Sequence, residues 1–294
     1  MKNILQLIHL YTLACEMYDN GRSTCFQRLS NNSKPGGITD QELMAIYWFC
    51  HLHQRYEKKA MHEFMRDYWR EFFPRLPAYQ TFVARLNQLE ATFQSIGAQL
   101  QARLNERQAA QLDHLIDSMP IALARGGHAY GAKVARESAD IGYCASKKLF
   151  FHGVKLHAIA RRRSGQVPLP QQLWLREASC HDLRSVKEQE IELPTTTLFG
   201  DKAYADTAFA QELAAQGTVL RTPQKKLKGQ ELSEWEHYYN RCVNRLRQPV
   251  ESFFGWVQKK TRLHEAGTVR SDDALKIHCW GKLTVVYLLL LLNP

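Results

Sequence analysis

Three carboxylates occupy places where a chain rarely puts charge. Asp117 lies inside the apolar stretch LIDSM, Asp201 follows the apolar run of TTTLFG, and Glu251 falls in NRLRQPVESFF. A carboxylate within a β-prone apolar run costs free energy unless a hydrogen-bond donor or a cation compensates it. Singly, each has an ordinary reading: Asp117 as a hydrogen-bonded core aspartate, Asp201 as a charged strand end, and Glu251 as the i,i+4 partner of Arg247. That last pairing is worth only about 0.2–0.5 kcal/mol. Taken together they describe a set of hard oxygen ligands. If the strand of Asp117 lies beside the strand that ends at Asp201, and the helix of Glu251 crosses both, the three meet at one rim. Such a set suits Mg²⁺ or Mn²⁺, and two such ions about 3.5–4 Å apart clamp a phosphate.

The elements that must position these residues divide the chain. Residues 1–105 read as helical. Thr39 and Glu42 form a capping box ahead of Leu43, Ile46, Tyr47 and Cys50, which recur at helical spacing. Two further stripes follow, Met61–Phe64–Met65–Tyr68–Trp69 and Tyr79–Phe82–Val83–Leu86–Leu89, separated by Pro74 and Pro77. Short helices joined by proline-marked turns resemble a helix-turn-helix, with Gln80, Arg85 and Asn87 as DNA-facing polar groups, although any small helical bundle shares the pattern. From residue 106 to 294 the character is mixed α/β. Strands are expected over 112–123, 148–160, 171–179 and 195–200, with RRRSGQVP joining the second and third as a hairpin. A helix ending near Gly217 and the strand TVLRTP come next. Then Leu232, Trp235, Tyr238, Tyr239, Cys242, Val243, Leu246, Val250, Phe253, Phe254 and Val257 form one long helical stripe. Pro249 either kinks that helix or opens a second one.

Charge points to polyanionic partners. The formal net charge is +10, and Lys225, Lys226, Lys228, Lys259 and Lys260 sit in a basic region running from Arg221 to Arg262. Seven cysteines, odd in number and without a CxxC pair, exclude zinc-ribbon spacing and argue against a disulfide framework, which fits the cell interior. His9, Tyr11 and Glu16 make the N-terminus a poor signal peptide. The terminal LTVVYLLLLLNP reads as a packed helix, too short for the ~20 apolar residues a membrane span needs.

The order of the pieces resembles the DDE transposases of bacterial insertion sequences. The resemblance rests on LIDSMPI around Asp117, FFHGVKLH, REASCHDL, LFGDKAY around Asp201, and NRLRQPVESFFGWVQKK around Glu251, and spans roughly residues 110–265. It implies an RNase H-like mixed sheet flanked by helices, preceded by the all-α, helix-turn-helix-like region. Asp117, Asp201 and Glu251 would then be the catalytic metal ligands for two Mg²⁺ or Mn²⁺ ions. Lys202, Arg247, Lys225, Lys226, Lys228, Lys259 and Lys260 would meet double-stranded DNA, with Gln80 and Arg85 from the helical region. The implied activity is strand cleavage at transposon ends and attack of the freed 3′-hydroxyl on target DNA. A homo-oligomer on DNA, in a cytoplasm and at its nucleoid, goes with it. Two positions depart from a tyrosine–arginine–glutamate–lysine signature seen in related families: Asn244 stands at the tyrosine and Gln258 at the lysine, beside Lys259. Lys155 and His157 would line the site's neighbourhood, or equally form a polar strand face; His181 and Asp182 read as a helix start. Two other functions use the same residues differently. One is a metal-dependent nuclease or resolvase without strand transfer; the other is a non-catalytic DNA-binding regulator.

Overall fold

The computed structural model describes residues 2–21, 37–106, 113–145, 148–189, 191, 193, 195–226, 229 and 231–292. Two compact units divide the chain: Met1–Arg107 with Lys260–Leu263 and Val269–Pro294, and Gln108–Lys259 with His264–Thr268.

The first unit is helical, with α1 (Lys2–Gly21), α2 (Asp40–Leu52), α3 (Lys58–Tyr68), α4 (Tyr79–Asn87) and α5 (Glu90–Glu106). The capping box that starts α2 is formed. The Thr39 hydroxyl accepts from the Glu42 amide at 3.2 Å, and the Glu42 carboxylate accepts from the Thr39 amide at 2.6 Å. Every residue from Leu43 to His51 is buried, so α2 is the centre of this unit and has no solvent face.

The second unit is a mixed α/β layer structure. It contains β1 (Asp113–Arg125), α6 (Gly127–Tyr130), β2 (Asp140–Cys144), β3 (Leu149–Arg161), β4 (Leu169–Glu177) and α7 (Asp182–Glu188). Then come β5 (Thr197–Phe199), α8 (Thr207–Ala215), β6 (Val219–Arg221), α9 (Glu234–Arg247) and α10 (Pro249–Thr261). The long strand β3 pairs antiparallel with β1 along one edge, while β2 and β4 share its other edge end to end. Beyond β1, β5 pairs parallel and β6 pairs parallel to β5. This is the RNase H-like arrangement expected, with the hairpin between β3 and β4 where RRRSGQVP placed it. Ile116, Ile159, Trp174, Val186, Leu198, Phe209 and Leu213 fill the core of the sheet with α7 and α8. Strand β2 was not legible in DIGYC. Gly142 belongs there because a Cβ would lie 2.2 Å from the Ala178 carbonyl oxygen, a constraint set by the turn that follows β4.

The long stripe of the late helices divides. Pro249 opens α10 as its first residue, and Gln248 before it keeps helical dihedrals. Val250, Phe253, Phe254 and Val257 are buried as expected, but α9 buries only Val243. Trp235 is 65% exposed and Tyr238 60%, and the Trp235 ring stacks on Tyr239 of its own helix at 5.4 Å. Apolar periodicity continued into a half-helix that little among the described residues covers.

The chain closes, back in the helical unit, with α11 (Asp272–Lys276), a π-helical turn (Ile277–Gly281) and α12 (Lys282–Leu292). Together these make a 21-residue helical run, longer than the terminal apolar stretch alone implied and, among the described residues, the one helix apolar enough by length and composition to cross a membrane. Its most apolar window is 72% buried within the protein. Thr284 within it accepts from the Trp48 indole at 2.8 Å, as in a packed core helix. The six described cysteines form no disulfide with one another, and Cys25 lies outside the described residues.

Candidate active site

Strand register brings the first two carboxylates together. In the parallel pair of β1 and β5, Leu115 faces Phe199. Asp117 and Asp201 each lie two residues further along in the same direction, Asp117 still within β1 and paired with Ala158 of β3, Asp201 just past the carboxyl end of β5. Gly200 permits this close turn: a Cβ there would lie 3.0 Å from both Ile116 Cγ2 and Tyr204 Cδ2. Asp201 then caps a 3₁₀ turn (Lys202–Tyr204), its Oδ1 accepting from the Ala203 amide at 2.8 Å.

Glu251 arrives from the first turn of α10, and Arg247 links it to the strands. The Arg247 guanidinium donates to Asp117 Oδ2 at 3.3 Å and to Glu251 Oε1 at 2.8 Å. The Arg247 side chain is only 17% exposed, so this is a partly buried bridge rather than a solvated surface pair. Asp117 is nonetheless short of positive charge. Burial raises its pKa to about 6; the Ser118 amide and Arg247 pull it down, and the Asp201 carboxylate pushes it up. Among the described residues no group of three His, Cys, Asp or Glu side chains is spaced to hold an ion. Arg247 stands where Asp117 and Glu251 would otherwise approach a common cation. The donor atoms are of the kind a hard divalent ion takes: carboxylate oxygens on neighbouring strands, one of them under-compensated.

The other anticipated residues are scattered more widely. Lys202 is exposed in the turn after Asp201, Lys225 and Lys226 are exposed, and Lys225 Nζ donates to the Ala205 carbonyl at 3.1 Å. Lys228 lies outside the described residues, while Lys259 and Lys260 are exposed near the end of α10. Gln258 is turned inward, its amide 3.0 Å from Met119 Sδ, and Asn244 is exposed. In the helical unit Gln80 is exposed, whereas Arg85 is held by the buried Asp40 at 2.6 Å and Asn87 accepts from Lys58 at 2.5 Å. Tyr18 donates to the same Asp40 at 2.8 Å, so Arg85 serves a structural ion pair.

Polar groups also collect on the β3–α7 side. Lys155 pairs with Asp182 at 2.8 Å and donates to the Cys180 carbonyl. His181 caps α7, accepting from the Leu183 amide at 3.3 Å, with Asp182 in the first turn as the sequence indicated. His157 is fully buried and stacked on Trp174 at 5.3 Å, and neither ring nitrogen has a hydrogen-bond partner. Burial lowers its pKa to about 4, so it is neutral at physiological pH. Tyr204 was singled out by no sequence signal beyond its place in GDKAY, yet it is fully buried beside the carboxylates, and its hydroxyl too is unpartnered.

A search among curated proteins finds no match. Comparison with protein families matches residues 112–289, more than half of the chain, to the family described as Transposase DDE domain. The matched span contains the sheet, all three carboxylates and the helices that carry Glu251. On that match, and on the parallel pairing that brings Asp117 beside Asp201, the chain belongs to the transposase DDE domain family.

Proposed function

We propose that the protein is a divalent-metal-dependent DNA transposase that cuts strands at transposon ends and joins the freed 3′-hydroxyl to target DNA. The observation that carries this reading is the rim itself: Asp117 within β1 and Asp201 just past the end of the neighbouring β5, with Arg247 tying Asp117 to Glu251. Asp117, Asp201 and Glu251 would hold Mg²⁺ or Mn²⁺. When bound, the metal supplies Lewis-acid activation of water and neutralises charge on the phosphate. Lys202 lies one residue past Asp201, placed to bind the phosphate of a strand docked at the rim. Lys225, Lys226 and Lys259, exposed on the same unit, add sequence-independent contacts to the DNA backbone, and Lys228 and Lys260 extend the basic set. Gln80, exposed on α4 of the helical unit, is the polar group we assign to DNA reading there. Action on two ends asks for at least two copies of the chain.

The test is a strand-joining assay with Mg²⁺, a duplex carrying the ends of the element and a supercoiled target. Joined product that disappears in Asp201→Asn supports transposition. Cleaved ends that never join would replace it with the nuclease reading.

Arg247 has a separate role in this scheme. Before a cation arrives it supplies the positive charge that holds Asp117 and Glu251 near each other. Arg247→Gln should therefore lower metal-free stability by about 1–3 kcal/mol, discounted from the cost of breaking a fully buried pair because Glu251 is largely solvated. Added Mg²⁺ should recover most of that loss. Thermal melts with chelator and with Mg²⁺ read both effects; a deficit that metal leaves untouched contradicts the role.

A further inference from the structure

Tyr204 closes the turn that Asp201 opens, its amide donating to the Asp201 carbonyl at 3.2 Å. The ring packs against Gly200, within reach of the place where a Cβ would also strike Ile116. Gly200 and Ile116 immediately precede Asp201 and Asp117, so the ring lies behind both carboxylates. It has no exposed surface, and among the described residues its Oη has no hydrogen-bond partner. A buried hydroxyl left unpaired is a cost to the fold, and phenylalanine would fill the same space without it. The fold alone therefore gives no reason for tyrosine here.

We propose that the Tyr204 hydroxyl is a positioning donor for the carboxylate rim, donating to the Asp117–Asp201 pair when a divalent cation draws those side chains together. The inference rests on the metal-binding reading of the rim. Burial first, and then the charges of Asp182, Asp117 and Asp201, hold the phenolic proton far more tightly than in free tyrosine. The group is thus a donor at any physiological pH. Asp182 Oδ1 already takes Lys155 at 2.8 Å, whereas Asp117 Oδ2 has only the longer 3.3 Å bond to Arg247 and Asp201 is bonded by the Ala203 amide at its Oδ1, so both carboxylates keep acceptor capacity for a further donor. Donors behind metal-binding carboxylates fix ligand orientation and raise affinity.

The experiment compares wild type, Tyr204→Phe and Asp117→Ala as full-length protein, by Mn²⁺ titration calorimetry and by thermal melts with chelator. Tyr204→Phe should melt at the same temperature as wild type or higher without metal, yet bind Mn²⁺ about 10–100-fold more weakly. A lower metal-free melting temperature would show that the hydroxyl serves the fold, and unchanged Mn²⁺ affinity would show that it serves nothing at the rim; either overturns the proposal. Wild type binding no more Mn²⁺ than Asp117→Ala would overturn the metal reading itself, a failure distinct from one confined to Tyr204→Phe.

Discussion

Asp117→Asn is expected to abolish strand cleavage while making the metal-free protein more stable at neutral pH. Loss of a metal-binding carboxylate at the reacting phosphate should cost on the order of a thousandfold or more in rate. The stability gain follows from the raised pKa. In the unfolded chain the carboxyl ionises near 3.8, but in the fold only near about 6. Folding therefore favours the protonated form. Below pH 3.8 both states are protonated and nothing is lost. As pH rises from there to about 6, the unfolded state ionises first and stability falls, by about 3 kcal/mol for a shift of this size. Asparagine does not ionise and escapes that loss, and because the raised value already includes the pull of Arg247, the net gain above pH 6 should be about 2–3 kcal/mol. Denaturant melts in chelator across this range check it. A variant less stable than wild type above pH 6, or one equally active, would contradict the account.

Gly153→Ala should be among the most damaging small substitutions in the α/β unit. Gly153 sits where three strands join, paired with Ala122 of β1 and Asp140 of β2, and its carbonyl accepts from the Ala178 amide at 3.1 Å. A methyl group there would lie 2.1 Å from the Ile121 carbonyl oxygen and 3.2 Å from the Ala122 Cα. Both are backbone atoms held by the β1–β3 ladder, so the clash cannot be relieved by turning a side chain. We expect a loss of about 3 kcal/mol or more, read by chemical denaturation. Gly255→Ala is the control. It lies in α10 on the exposed side, where a Cβ meets nothing within 4 Å, and alanine should add roughly 0.5–1 kcal/mol of helix stability. Equal effects at the two positions would remove the steric explanation.

These contrasts also show what local sequence carries. LIDSMPIAL, KLFFHGVKLHAIA and QQLWLREAS announce β1, β3 and β4 because strand propensity and loop punctuation are local properties. The start of α2 was legible for the same reason, since a capping box is complete within four residues. Strand β2 was not, because DIGYC is held by its pairing to β3 and by the close approach of Ala178. Trp235 and Tyr238 matched the period of a buried face, but period records only that residues share a side, not that anything lies against it. Arg85 could not be separated from a DNA-facing arginine without Asp40, 45 residues away. The Arg247–Glu251 pair was readable as an i,i+4 contact; its second bond, to Asp117, depends on the packing of a helix against a strand and has no local signature.

That second bond spans 130 residues, and this has a consequence during synthesis. A ribosome that has delivered β1 through β5 has exposed both aspartates but neither Arg247 nor Glu251. Until α9 and α10 emerge, Asp117 lacks its guanidinium and the third carboxylate does not yet exist. Premature termination anywhere upstream would on this reading release a polypeptide unable to cut DNA, so that capacity is acquired only once α10 has emerged.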